Sequence, residues 1–387
     1  MKNFYFGLDL GHYECKFTIL EELPDNRLIS YNNSVRNGFL KKGEVLDIEN
    51  FFNILEKLLW EISESFGISR LNNINVSFSS PFFQSSLQKG YSIFEKNLTE
   101  EDIKRAIRIA KASVILTNQV NLVEEPVKYI IDGTQEVRDP IGLSGRRLDA
   151  EVFLINVHKA LIDKLSKIFE DLKIKVNHFL PSLYPASKVC LSKKDKDVGV
   201  ALMDIGAQTI TVGIFIEGKL INYKVFDIGC DAITEELAIH FKMDLEEAEN
   251  LKREILDKQS DKIKIKKKKG ISINKFIEKK LKEIFIEKNI VDYLKEIKKN
   301  YKLPAGMVVI GGGSKIVNLD HIFKNLVNMQ VKYPKDELNL FENDEDLLKY
   351  SNSAGSALIS MQEYEEEGFF EKIKNLFFRP FSGFYNF

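Results

Sequence analysis

FYFGLDLGHYECKFTIL at residues 4–20 and VALMDIGAQTITVGIFI at residues 200–216 are the two stretches that decide the fold. Each is a run of apolar, β-branched and aromatic residues, broken by Asp-x-Gly and then resumed. That pattern predicts a β-hairpin with Asp-x-Gly at its tip. One supersecondary unit recurring roughly 195 positions later means a duplicated α/β architecture with two lobes.

Working outward from the first hairpin, NGFLKKGEVLDIE (37–49) is turn-rich. It leads into a helix over Ile48 to Phe66, where Phe51, Phe52, Leu55, Leu58, Leu59 and Ile62 recur at helical spacing. A short strand, Ile74 to Ser79, follows. From Phe82 to Leu154 the character changes: Thr99-Glu-Glu-Asp caps a helix to Ser113, strand-like pieces flank it, and DPIGLSG (139–145) is a loop. This segment reads as a small α+β insertion. A helix over His158 to Leu172 returns the chain to the first lobe. Beyond the second hairpin, a strand over Lys219 to Val225, one long amphipathic helix over Asn274 to Asn300, a strand over Met307 to Ile310 and a small-residue helix beginning at Ser353 are expected.

Phosphate oxygens need convergent backbone N–H groups, and glycine lets the chain come close to them. Asp9-x-Gly11, with His12 beside it, and Asp204-x-Gly206, with Gln208 and Thr209 beside it, offer one such turn per lobe. Facing one another, the two turns would clamp a triphosphate. Asp9 and Asp204 are placed to hold Mg²⁺ through water, since Mg²⁺ keeps several waters and takes one or two carboxylates. Lys16, on the outgoing strand, can reach a phosphate. Gly311-Gly312-Gly313-Ser314 would present backbone to an adenine or its α-phosphate. Glu249 and Lys252, one helical turn apart, can share a ribose edge. Any one of these features alone is an ordinary turn; their order around an internal repeat carries the reading.

Composition narrows the classes. The 387 residues carry 56 Lys+Arg against 57 Asp+Glu, a net charge of −1, which argues against a nucleic-acid binder acting through a basic surface. Cys15, Cys190 and Cys230 are too dispersed for a metal pattern or a disulfide scaffold. Asp9 interrupts the first apolar run, so no signal peptide is read, and no run of 18 or more apolar residues suggests a spanning helix. A chain that stays on the cytoplasmic side is expected. The basic run Lys266 to Lys269 reads as a solvated loop.

These segments resemble the actin, Hsp70 and sugar-kinase superfamily: its phosphate-1 motif at Gly7 to Ile19, phosphate-2 at Val200 to Phe215, adenosine motif at Gly306 to Ile316 and second connecting helix at Ser351 to Leu358. Within it, NGFLKKGEVLDIE and VRDPIGLSGRRLDAEVFLI (137–155) resemble the FtsA family of bacterial cell-division actin homologues along nearly the whole chain. The resemblance implies an actin-like, ribonuclease-H-like, bilobed α/β ATPase fold with an α+β inserted subdomain. Residues 1–81, 156–196 and 350–364 would form the first lobe, 82–155 the insertion, 197–228 and 306–349 the second lobe, 229–305 a further subdomain, and 365–387 an acidic linker with a terminal helix.

It also implies a function: an ATP- and Mg²⁺-binding protein that forms filaments on the inner face of the cytoplasmic membrane at the division septum. There it would recruit the C-terminal peptide of FtsZ and meet other division proteins, with no nucleic acid involved. The family's FtsZ contacts fall on the helix holding Lys280 and Glu283. Two departures matter. Ala207 and Gln208 stand where phosphate-2 carries glycines, and FLPSLYPAS (179–187) has no carboxylate to position water, so at most slow hydrolysis is expected, with ATP mainly a structural ligand.

In the tail, Phe369, Phe370, Ile373, Leu376 and Phe377 share one helical face, with Lys372, Lys374 and Arg379 around its polar side. A basic, aromatic-rich amphipathic helix lies in a membrane interface and favours anionic lipid. Two other readings share the fold: a pilus-assembly-type adaptor ATPase, in which the GLSGRRL segment and the tail are not expected, and a sugar or acyl kinase, which needs a further catalytic Asp. An Hsp70-like chaperone would require a β-sandwich substrate domain.

Overall fold

The computed structural model describes residues 3–68, 71–114, 118–258 and 273–377, with backbone alone from Glu363 onward. The run Lys266 to Lys269, together with Arg379, lies outside the described residues.

The first lobe opens with β1 (Asn3–Leu10), β2 (Glu14–Glu22) and β3 (Leu28–Arg36), an antiparallel meander. A small hairpin of β4 (Leu40–Lys41) and β5 (Glu44–Val45) follows. Helix α1 (Ile48–Phe66) starts where the Asp47 carboxylate accepts from the Asn50 N–H and ends at Gly67 in the left-handed region, φ 61°. Its Phe51, Leu55, Leu58, Leu59 and Ile62 are buried against the sheet. Strand β6 (Asn72–Phe78) pairs parallel with β1.

The insertion comprises β7 (Gln84–Ile93), α2 (Glu100–Ala112), β8 (Gln119–Ile131), β9 (Gln135–Val137) and β10 (Arg147–His158). They form an antiparallel sheet of order β7-β10-β8-β9 covered by α2. Thr99 and Asp102 make the capping box that starts α2. The first lobe closes with α3 (Lys159–Asp171), β11 (Lys175–Pro181), α4 (Leu183–Cys190) and α5 (Lys193–Val198).

The second lobe repeats the first. Strands β12 (Val200–Ile205), β13 (Ile210–Ile216) and β14 (Lys219–Phe226) form the meander. After α6 (Asp231–Phe241), α7 (Leu245–Lys258), α8 (Ile273–Glu287) and α9 (Ile290–Asn300), strand β15 (Met307–Ile310) pairs parallel with β12. Helix α10 (Leu319–Val327), β16 (Val331–Lys332) and α11 (Asp344–Phe377) complete the chain. The sheet orders β11-β6-β1-β2-β3 and β14-β13-β12-β15-β16 are the same topology, three antiparallel strands then two parallel ones. The duplication read from the two hairpins is therefore present strand for strand.

Three expectations need correction. The single helix over 274–300 is two helices: Asn289 adopts φ 57°, a conformation asparagine tolerates, and the turn redirects Ile290, Val291, Leu294 and Ile297 into the core. The small-residue helix begins at Asp344, not Ser353, because the Asn343 side chain caps it by accepting from the Asp346 N–H at 2.9 Å. Glu365 to Glu367 lie within that helix, not in a separate linker, since the backbone stays helical to Phe377. No described helix is long and apolar enough to cross a membrane.

The small residues of α11 have a steric cause. The helix packs directly on β1, and a Cβ at Gly7 would sit 2.5 Å from the Ala357 nitrogen. With α4 beside it, α11 fills the space between the two sheets, where Leu183, Ala186, Leu202, Ala354 and Ala357 share one core.

Candidate functional site

Because the two meanders are equivalent, both Asp-x-Gly turns open toward one space. Asp9 stands at the penultimate position of β1, across from Lys16 of β2. Asp204 is penultimate in β12, across from Thr211 of β13. The cavity between them measures about 430 Å³ and is lined by Asp9, Gly11, His12, Lys16, Asp204, Gly206, Thr209, Glu249, Lys252, Gly311, Gly312 and Gly313, among others. That volume suits a drug- or nucleotide-sized ligand.

The first wall is built around Asp9. Its Oδ1 accepts from the hydroxyls of Ser77 at 3.0 Å and Ser182 at 3.1 Å, and its Oδ2 from the Lys16 ammonium at 3.3 Å. Burial works against the charge on Lys16, but Asp9, Asp204 and Glu14 outweigh it and hold its pKa above the usual lysine range. His12 is buried; burial outweighs the pull of Asp9 and drops its pKa to about 4, so the ring is neutral. Its Nε2 accepts from the Gly43 N–H at 2.9 Å.

The second wall is built around Asp204. Burial raises its pKa, and Lys16 opposes that shift. The Asn352 amide donates to its Oδ2 at 3.1 Å. Gly311, at φ 82°, passes so close that a Cβ would meet Asp204 Oδ1 and lie 2.8 Å from the Ile205 carbonyl oxygen; only glycine fits there. Gly312, by contrast, has open space where a Cβ would point.

Other expected residues sit differently. Glu249 and Lys252 line the cavity but are bonded to each other at 2.6 Å; Lys252 is buried and also donates to the Cys230 carbonyl at 3.1 Å and to the Thr234 hydroxyl at 2.7 Å. Gln208 and Ser314 do not line the cavity. Gln208 accepts from the Lys42 N–H at 3.1 Å. Ser314 is fully buried and its hydroxyl donates to the Gly311 carbonyl at 2.6 Å, fixing the turn from behind. Lys280 and Glu283 lie on α8 away from the cavity, 3.0 Å apart, with Lys280 also 2.9 Å from Glu236 of α6.

Sequence reading missed Ser77, Ser182 and Asn352, which reach the acids from β6, the start of α4 and α11. It also missed the β4–β5 hairpin as a bridge between lobes. Lys42 at its tip meets Gln208 through its backbone and Asp227 through its ammonium, at 2.6 Å, while Gly43 meets His12. At the cavity mouth, Arg253 of α7 lies 4.3 Å over the Tyr13 ring and 3.8 Å from Glu14.

The lining fits a nucleotide carrying a hydrated divalent cation. It offers two acids, a glycine cradle, and one buried acceptor, Asn352 Oδ1, with no partner among the described residues. Among the described residues no three His, Cys, Asp or Glu side chains form a metal cage.

Comparison with known proteins fits this geometry. The family model for cell division protein FtsA matches residues 201–355, and that for the SHS2 domain inserted in FtsA matches 85–156, the inserted sheet. The chain is similar to cell division protein FtsA of Bacillus subtilis, 28% identical over 254 residues, which are 65% of this chain and 58% of that one. It is 25% identical to the FtsA of Borreliella burgdorferi over 399 residues, 97% of this chain and 94% of the relative. Among solved structures, a PilM–PilN type IV pilus biogenesis complex gives a TM-score of 0.65 at 15% identity, covering 92% of this chain and 98% of that one. The ethanolamine utilization protein EutJ of Carboxydothermus hydrogenoformans gives 0.52 at 13% identity, covering 92% and 89%. These two likenesses concern the actin-like fold alone.

Proposed function

Since the chain belongs to the FtsA family of actin-like cell-division proteins, we propose that it binds ATP with Mg²⁺ in the interlobe cleft, forms filaments on the inner face of the cytoplasmic membrane at the septum, and tethers FtsZ there. The observation that carries the nucleotide part is the pair of equivalent turns, with Asp9 and Asp204 lining one cavity of about 430 Å³. Backbone N–H groups at Gly11 and Gly312 would meet phosphate oxygens, and the two acids would hold the cation through water. The cation, when bound, offsets phosphate charge.

Clamping from both lobes makes ATP a ligand of the closed form, which it stabilises by mass action. Ser182 donates to Asp9 in the segment where a carboxylate would otherwise orient water, which supports slow turnover at most.

The tail supports the membrane part. Phe369, Phe370, Ile373, Leu376 and Phe377 recur at helical spacing among Lys372 and Lys374, and their backbone is helical. One such helix resembles a single acyl anchor, with an association constant on the order of 10⁴ M⁻¹, about 5–6 kcal/mol. That is reversible for a monomer, and linking many tails in a filament multiplies residence through effective concentration. Lys280 and Glu283 remain our candidates for the FtsZ peptide, whose charges would compete with the Glu236–Lys280 pair.

Co-sedimentation with anionic liposomes in Mg-ATP tests this reading, comparing the full chain with one ending at Glu367. Pelleting of the full chain alone, with filaments on the lipid in negative stain, is expected. If both remain in the supernatant without polymer, the membrane-filament reading fails.

A further inference from the structure

Asn352 is 8% exposed, sits on α11, and lines the nucleotide cleft. Its Nδ2 donates to Asp204 Oδ2 at 3.1 Å. With Nδ2 donating to Asp204, Oδ1 is turned away from that carboxyl group. That oxygen is buried without a hydrogen-bond partner among the described residues, where buried polar atoms are ordinarily satisfied.

The neighbouring cations are committed elsewhere: Lys16 to Asp9 at 3.3 Å, and Lys252 to Glu249 at 2.6 Å. A phosphate chain brings acceptors only and cannot satisfy a carbonyl oxygen. A hydrated cation brings O–H donors, and Mg²⁺ in particular keeps several waters. Asp9 and Asp204 both line this cavity and are the acids that would draw a cation to it.

We propose that Asn352 is a positioning residue for the divalent cation: its Nδ2 orients Asp204, and its Oδ1 accepts from a metal-bound water. The inference rests on the nucleotide reading of the cleft and adds a residue that motif reading treats as part of a small-residue helix. It also gives α11, which packs on the first lobe, a direct contact with the cation site of the second.

The test is equilibrium binding of a fluorescent ATP analogue to the full chain, titrated with Mg²⁺ and repeated in excess EDTA. Asn352→Leu keeps the side-chain size and removes both polar atoms; Asn352→Ala is the second variant should leucine not pack. Thermal melts without ligand establish that each is folded. In the variants, the Mg²⁺ concentration that half-restores tight binding is expected to rise roughly 10–100-fold, the range for partners of metal-held groups, while binding in EDTA is unchanged. An equal loss in Mg²⁺ and EDTA means a structural role only and overturns the proposal, as does an unchanged Mg²⁺ midpoint. If the wild type binds nucleotide equally in both, the cleft reading stands and this proposal falls. If it binds none in either, both fall.

Discussion

The Gly43 N–H donates to Nε2 of His12 at 2.9 Å, and that bond exists only while the imidazole is neutral. His12 belongs to the first Asp-x-Gly turn and Gly43 to the β4–β5 hairpin, so protonation of one buried ring removes one of the bonds that hold the hairpin.

Burial lowers the His12 pKa from 6.5 to about 4. The folded state therefore binds fewer protons than the unfolded chain between those values, and stability rises with pH across that window. It is fully present above pH 6.5 and is lost as pH falls toward 4. Between pH 7.5 and 5 the loss from this group is about 2 kcal/mol. Urea unfolding at the two pH values should show it, and His12→Gln should flatten the dependence. An equally steep dependence in the variant would remove His12 as the cause.

Lys42 reaches from that hairpin to Asp227 of the second lobe at 2.6 Å, with both side chains well exposed. Exposed pairs contribute roughly 0.2–1 kcal/mol, so Lys42→Glu should barely move the melting temperature. Its effect should fall on the lobes' closure, because the new carboxylate faces Asp227 across the cleft. Stopped-flow release of a fluorescent nucleotide is expected to be faster in Lys42→Glu and to be restored by the added change Asp227→Lys. Unchanged release in the single variant would mean that the hairpin does not latch the lobes.

Gly7 carries the seat of α11, and a Cβ there would lie 2.5 Å from the Ala357 nitrogen. Backbone cannot yield as a side chain can, so Gly7→Ala should cost at least the 1–3 kcal/mol typical of overpacking, about 3 kcal/mol at this site. Gly38, where an added Cβ meets nothing within 4 Å, is the control. Chemical denaturation of the two variants should separate them, and a neutral Gly7→Ala would mean that α11 is not fixed on β1.

Legibility followed sequence distance. The hairpins are readable because each holds its strands, its turn and its acid within about twenty residues, and a continuous apolar run broken by Asp-x-Gly is visible in that window. The capping box at Thr99 and Asp102 was readable for the same reason. What escaped depends on tertiary contact. Ser182 and Asn352 meet Asp9 and Asp204 from positions 173 and 148 residues away, and no local pattern marks them. The break at Asn289 escaped because apolar spacing continues across it; a lone asparagine among good helix formers was the available signal. Ser314 was misplaced because a glycine-rich turn names its residues without saying which face the ligand.

Asp9 combines two roles that single substitutions confound. It pairs with Lys16 and accepts from Ser77 and Ser182, and it lines the candidate phosphate site. In Asp9→Asn, Oδ1 can still take the serines, but Nδ2 then faces the Lys16 ammonium, donor against donor. Removing one partner of a buried pair costs about 3 kcal/mol, somewhat less here because Lys16 keeps some exposure and the reach of Asp204. Adding Lys16→Met removes the orphaned charge, so the double variant should regain most of that stability. It should not regain Mg-ATP binding, since the carboxylate that would hold the cation's water is gone. Unfolding in urea and titration with a fluorescent nucleotide, run on both variants, separate the two effects. Recovery of nucleotide binding along with stability would show that Asp9 only braces the turn, and would leave Asp204 to hold the cation without it.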